Sequence, residues 1–117
     1  MELPLKDKMG QPIEPGAIIV YGHALGRCAA LRIGKVVRVG IKQNAYRKDE
    51  ARITVQGVDD DWDGFYDDDP EWAKKHPITL TARKGTLMFA NRTIVLNPAM
   101  VPQKYLDLLA DVPVETK

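Results

Sequence analysis

A chain of 117 residues, 44% of them hydrophobic, has the material for one domain with its own core. Its single cysteine, Cys28, excludes an internal disulfide, and the complete absence of serine excludes every serine nucleophile. Two histidines, His23 and His76, leave little for a catalytic triad or a histidine-rich metal site, and a net charge of +1 hides a basic block followed by an acidic one.

The chain shows no charged-then-apolar leader and no apolar run long enough to span a bilayer. The expectation is a soluble cytoplasmic protein with no membrane partner. One domain over 1–117 is predicted. Residues 1–15 form an arm, in which Asp7, Gly10, Pro12 and Pro15 are turn formers. AIIVYG (17–22) is β-branched and reads as a strand, and HALGRCAA (23–30) as a loop turning at Gly26. LRIGKVVRVGI (31–41) alternates, which predicts a long bent strand with Gly34 at a bulge or a close backbone approach. A polar connection (42–50) and a third strand (51–58) follow. In DPEWAKKHP, Asp69 has N-cap chemistry, Pro70 suits the first helical position, and Lys74, Lys75 and His76 suit the last turn before Pro77. Strands are predicted at 78–82, 86–90 and 93–97, and a helix over 101–112 from the spacing of Val101, Tyr105, Leu108, Leu109 and Val112. Alternation places Ile18, Val20, Ile33, Val37, Ile53, Val55, Leu87, Phe89, Ile94 and Leu96 in the core. The pattern predicts a mainly β fold: a small, partly open β-barrel of five to six strands, with a short helical insertion at 59–77 and a C-terminal helix.

Within residues 14–59, PGAIIVYG, Gly26-Arg27, Gly34-Lys35-Val36 and Val55-Gln56-Gly57-Val58 together resemble a KOW-type SH3-like barrel. In that family a glycine opens the first strand, a small basic corner follows, and a Gly-Lys-Val step begins the returning strand. The resemblance implies an SH3-like fold and contact with RNA or a transcription complex. Two features depart from it: a longer, more apolar loop at 22–30 and the acidic insertion. The opening segment, with its charged turn, Pro-Gly and IIVYG strand, also resembles the small accessory proteins of tailed bacteriophages. That likeness implies work in a host cytoplasm.

Two charged segments carry the functional expectations. From Arg27 to Arg52, eight basic residues stand against Asp49 and Glu50, a net +6. Arg27, Arg32, Lys35, Arg38, Lys42, Arg47 and Lys48 are the candidate nucleic-acid contacts, with alternation placing Arg32 and Arg38 on one surface and Tyr46 available to stack. A solvated outer strand face accounts for the same block, because strand exteriors must be polar somewhere. The stretch VDDDWDGFYDDDPEW then holds half of the chain's 16 acids. Asp59, Asp60, Asp61, Trp62, Asp63, Phe65, Tyr66, Asp67 and Asp68 are the candidate protein-binding residues, since aromatic side chains in a charged loop are interface anchors. Asp59, Asp61 and Asp63 with Gly64 also match the first half of an EF-hand calcium loop and Asp67 falls on its ninth position, but Pro70 stands at the twelfth, where the bidentate glutamate belongs. Spaced carboxylates that imitate nucleic-acid phosphates are a further reading of the same loop. His23 and Cys28 lack a third, orienting group for nucleophilic catalysis. The expected function is a non-enzymatic interaction module that binds a host protein through the insertion. The alternatives are nucleic-acid binding through 27–52 and a calcium loop at 59–67. No cofactor is expected, and the sequence assigns no oligomeric state.

Overall fold

The computed structural model describes residues 5–25, 28–43, 45–60, 70–75, 77–87 and 89–115. The fold is mainly β. Six strands, β1 (Ile18–Leu25), β2 (Cys28–Gln43), β3 (Asp49–Asp59), β4 (Thr79–Leu80), β5 (Gly85–Leu87) and β6 (Thr93–Leu96), form one antiparallel sheet. Its order is β4-β3-β2-β1-β6, with β5 also on β3, and it is not closed into a barrel. Two short helices, α1 (Pro70–Lys75) and α2 (Gln103–Leu109), complete the fold with single 3-10 turns at Ala90–Arg92 and Pro98–Met100.

β2 organises the sheet. Sixteen residues at roughly 3.3 Å each span about 50 Å, which accounts for the 52 Å long axis of the molecule. Cys28–Lys35 pair with β1, and Gly34–Gln43 pair with β3. At the crossover Gly34 lies opposite Gly57. A Cβ on Gly34 would meet Gln56 O and Val55 Cγ2 at 2.8 Å, so the expected close backbone approach is present. The register shifts between Val36 and Arg38, so the bulge is at Val37, beyond Gly34 in the same strand.

The pleat sends the consecutive valines to opposite faces, and the bulge reverses the parity only of the residues beyond Val37. Val36 packs with Ile13, Ile19, Tyr21, Ile53 and Val55. Val37 packs with Ile18, Val58, Val101, Tyr105, Leu109 and Val112, under α2. Both faces are therefore covered, and strand residues of both parities are apolar. This corrects the expected core. Ile18, Val37, Ile53 and Val55 are buried, while Val20, Ile33, Leu87, Ile94 and Leu96 are only half-buried and Phe89 is 51% exposed. Ile19, Val36 and Val58, on the other parity, are fully buried instead.

Several boundaries also move. The expected loop at 23–30 is mostly strand, because β1 runs on to Leu25 and pairs with Cys28; Gly26 and Arg27 lie outside the described residues. The polar connection at 42–50 contracts to a turn, since Lys42 pairs with Glu50 and Gln43 with Asp49. The strands at 78–82 and 86–90 shorten to β4 and β5, and the C-terminal helix to α2 behind Pro102.

The arm closes the exposed edge of the sheet. β6 has β1 on one side only. On its other side the Lys8 N–H donates to Thr93 O (2.9 Å), the Val95 N–H donates to Asp7 Oδ2 (2.6 Å), and Gln11 Nε2 donates to Val95 O (3.0 Å). Two side chains and one backbone amide thus stand in for a seventh strand. Asp7 is only 5% exposed. Its other oxygen accepts from the Met9 and Gln11 N–H groups at 2.9 and 2.8 Å, and the Gln11 side chain donates to Oδ2 at 2.9 Å. Burial pushes the Asp7 carboxyl up, but the Val95, Gln11 and Met9 donors together outweigh it and hold it below its ordinary value.

A lowered carboxylate pKa stabilises the fold above the unfolded value and stops doing so as pH falls through the folded one. Asp7→Asn replaces one acceptor with a donor facing the Val95 N–H. It is expected to lower stability by about 1–3 kcal/mol at neutral pH. In urea titrations the gap to the parent should narrow once the pH falls below about 4. A gap independent of pH would show that the charge on Asp7 does not matter.

Candidate functional site

The outer halves of β2 and β3 leave the core as a two-stranded arm. Residues 41–43 and 45–49 are exposed, with Tyr46 at 84%. Arg47 stands at φ 61 in the turn, and Gln43 Nε2 donates to its carbonyl at 3.1 Å. A bare two-stranded ribbon is marginal in water. Its pairing assigns its faces. Arg38 lies opposite Thr54, Gly40 opposite Arg52, and Lys42 opposite Glu50, so Arg38, Lys42, Arg52 and Glu50 share one face. Val39, Ile41, Ala51 and Ile53 share the other. Arg52 Nη1 contacts Glu50 Oε2 at 2.8 Å, and Arg38 Nε lies 3.5 Å from Glu50's counterpart in the C-terminal tail, Glu115 Oε2.

The bulge divides the expected basic set. Arg32 shares a face with Val36 and Arg38 does not, because the inserted residue reverses the parity of everything beyond it. The single surface expected for Arg32 and Arg38 is therefore two. Arg32 covers Gly57: a Cβ there would meet Arg32 Cδ at 2.8 Å and would collide with Tyr21 Oη. Burial pushes the Tyr21 hydroxyl up, and the Arg32 charge and hydrogen bond only partly pull it back. Lys35 is on the helix side, where Nζ donates to Val112 O (3.0 Å) and Leu109 O (3.3 Å). It satisfies carbonyls at the end of α2. Lys42, Arg47 and Lys48 are exposed on the arm, and Arg27 lies outside the described residues. Arg52 was not among the residues singled out by spacing; only the register shows that it joins Arg38 and Lys42.

The start of the acidic insertion is built into the fold. Asp59 ends β3 opposite Thr79, and Asp60 Oδ2 accepts from Tyr105 Oη at 2.5 Å. Asp61, Trp62, Asp63, Phe65, Tyr66, Asp67 and Asp68 lie outside the described residues, as do Asp69 and His76. α1 begins at Pro70 with Glu71 in its first turn and Lys74 and Lys75 in its last. The calcium reading places its first ligand, Asp59, in a strand ladder, and its other three ligands outside the described residues. Among the described residues no cluster of three or more His, Cys, Asp or Glu side chains is placed to hold a metal.

No family model, curated protein or solved structure matches this chain. Among the described residues no helix is long and apolar enough to cross a membrane.

Lys35→Met keeps the aliphatic stem and removes the donors to α2. It should lower stability by about 1 kcal/mol in chemical denaturation. It should leave any binding by the arm unchanged, since Lys35 faces the helix; a loss of binding without a loss of stability would reverse this assignment.

Proposed function

We propose that this chain is a non-enzymatic interaction module that holds single-stranded RNA or DNA along the β2–β3 arm. The observation that carries the reading is the bulge, which turns Arg38, Lys42 and Arg52 onto one face of a projecting ribbon whose turn bears Arg47, Lys48 and the exposed Tyr46. The exposed cations Lys42, Arg47 and Lys48 track a phosphate backbone, with Arg38 and Arg52 beside them in contact with Glu115 and Glu50, and an exposed aromatic ring at the turn stacks on a base regardless of sequence. The KOW-type resemblance of residues 14–59 points to the same class of partner. The setting that fits is a host-cell cytoplasm, from the phage-like opening segment.

A second reading keeps the insertion as a contact for a host protein. Its support is the fixed base: Asp59 in the ladder and Asp60 on Tyr105 hold one end of the segment against the sheet and α2. Here Phe65 and Tyr66 are the anchors, and the aspartates act on the rate of encounter.

A fluorescent single-stranded oligonucleotide titrated at several salt concentrations separates the two. Lys42→Glu with Arg47→Glu and Lys48→Glu should abolish binding, and Tyr46→Ala should weaken it by about 1–3 kcal/mol. Binding by the parent should weaken steeply with salt. Salt-independent binding, or none at low salt, removes the nucleic-acid reading. Capture of a protein from nuclease-treated lysate that is lost with Phe65→Ala and Tyr66→Ala then supports the second.

A further inference from the structure

β5 is held by β3 and β6 by β1, and these two strands do not pair with each other. The chain passes between them through the 3-10 turn Ala90–Arg92. At this seam, where a closed barrel would have a ladder, a pocket of about 210 Å³ opens. Leu87 and Phe89 supply its apolar wall, and Tyr21, Gly22, Thr86 and Thr93 complete the lining. Arg92 brings a full positive charge, and no lining residue is acidic.

The turn that carries the cation is tied by hydrogen bonds. The Arg92 N–H donates to Phe89 O at 3.0 Å, and the Thr93 hydroxyl donates to Ala90 O at 2.8 Å, which ties the turn. The Arg92 guanidinium carbon sits 4.5 Å from the centroid of the Phe89 ring, a cation–π contact. Phe89 is half exposed here, although its strand position gave it to the core. A large aromatic ring left half exposed beside a guanidinium offers a ligand an apolar wall with a charge at its rim.

Size and charge select the occupant. An apolar cavity of about 150 Å³ accommodates benzene, so this pocket accepts one six-membered ring with a small substituent. A positive lining with no acid favours an anion, and a guanidinium matches the planar fork of a carboxylate or the oxygens of a phosphate. We propose that the seam pocket binds a small aromatic anion, its ring against Leu87 and Phe89 and its carboxylate or phosphate on Arg92. The site lies off the β2–β3 arm, and it stands or falls independently of nucleic-acid binding there.

The test is a heteronuclear NMR titration of the full chain with benzoate, phenyl phosphate, benzylamine and cyclohexanecarboxylate. Saturable shifts at the Thr86, Leu87 and Thr93 amides are expected with benzoate or phenyl phosphate, and the tighter of the two identifies the anion. Benzylamine should produce none, and cyclohexanecarboxylate should bind more weakly than benzoate. Arg92→Gln should weaken binding by about tenfold or more, and Arg92→Lys, which keeps the charge without the fork, should lose less. Both changes are at an exposed side chain, and the dispersion of the spectrum reports the fold in the same experiment. The proposal is overturned by an absence of saturable shifts at these amides, by benzylamine binding as well as benzoate, or by a folded Arg92→Gln protein that binds like the parent.

Discussion

Val36 and Val37 are neighbours in the chain and are both fully buried, in different hydrophobic clusters on opposite faces of one sheet. The register shift that follows Val36 sits where β2 changes partner from β1 to β3. A strand of about 50 Å cannot stay flat and still curl around a core. The extra residue supplies the bend, and the paired glycines Gly34 and Gly57 allow the backbones to meet at the crossing. The bend of β2 and the parity of its outer half follow from that one insertion, while the pleat shares the core between the two faces. The helix face receives Ile18, Val37 and Val58, and the curled face receives Ile19, Val36, Ile53 and Val55.

An open sheet must then do something about its edges. The β6 edge is closed by the arm, with the Asp7 carboxylate and the Gln11 amide on the groups that a neighbouring strand would use. A carboxylate is suited to this place because it accepts from several N–H groups at once. The β5–β6 seam is treated differently. A 3-10 turn crosses it and leaves a lined pocket where ladder hydrogen bonds would have been. One end of the β2–β3 ribbon is exposed and bears charged residues and a tyrosine. Charge on such a ribbon discourages pairing with further strands, whatever else it binds.

Alternation and the parity change together redistribute the basic block. Lys35 is drawn to the carbonyls of Leu109 and Val112, Arg32 to Tyr21 and Gly57, and Arg38, beyond the bulge, to the face of Lys42 and Arg52. A run of charge that is continuous in the chain thus becomes two structural contacts and a group on the arm, where Arg38 meets Glu115 and Arg52 meets Glu50. The acidic block is split in a similar way. Asp60 serves the packing of α2 through Tyr105, and Glu71 lies in the first turn of α1, where it complements the helix dipole.

Local chemistry was readable from the chain. Short β-branched runs bounded by glycine and proline marked the strands, and proline, a leading acid and trailing lysines marked α1, because these preferences act over a few residues. Of the residues at helical spacing, Tyr105 and Leu109 in α2 and the flanking Val101 and Val112 are buried, while Leu108 is only half-buried. The glycine needed at the crossing was also legible at position 34. The bulge was not, because an alternating apolar run has no mark for the residue at which pairing slips; that is set by the partner strand. Everything past Val37 therefore depended on tertiary structure: which parity is core, that Arg32 and Arg38 part company, and that Arg52 joins Lys42. The role of Asp7 was equally hidden. Its partner Val95 is 88 residues away, and only the folded chain brings that backbone N–H to the carboxylate.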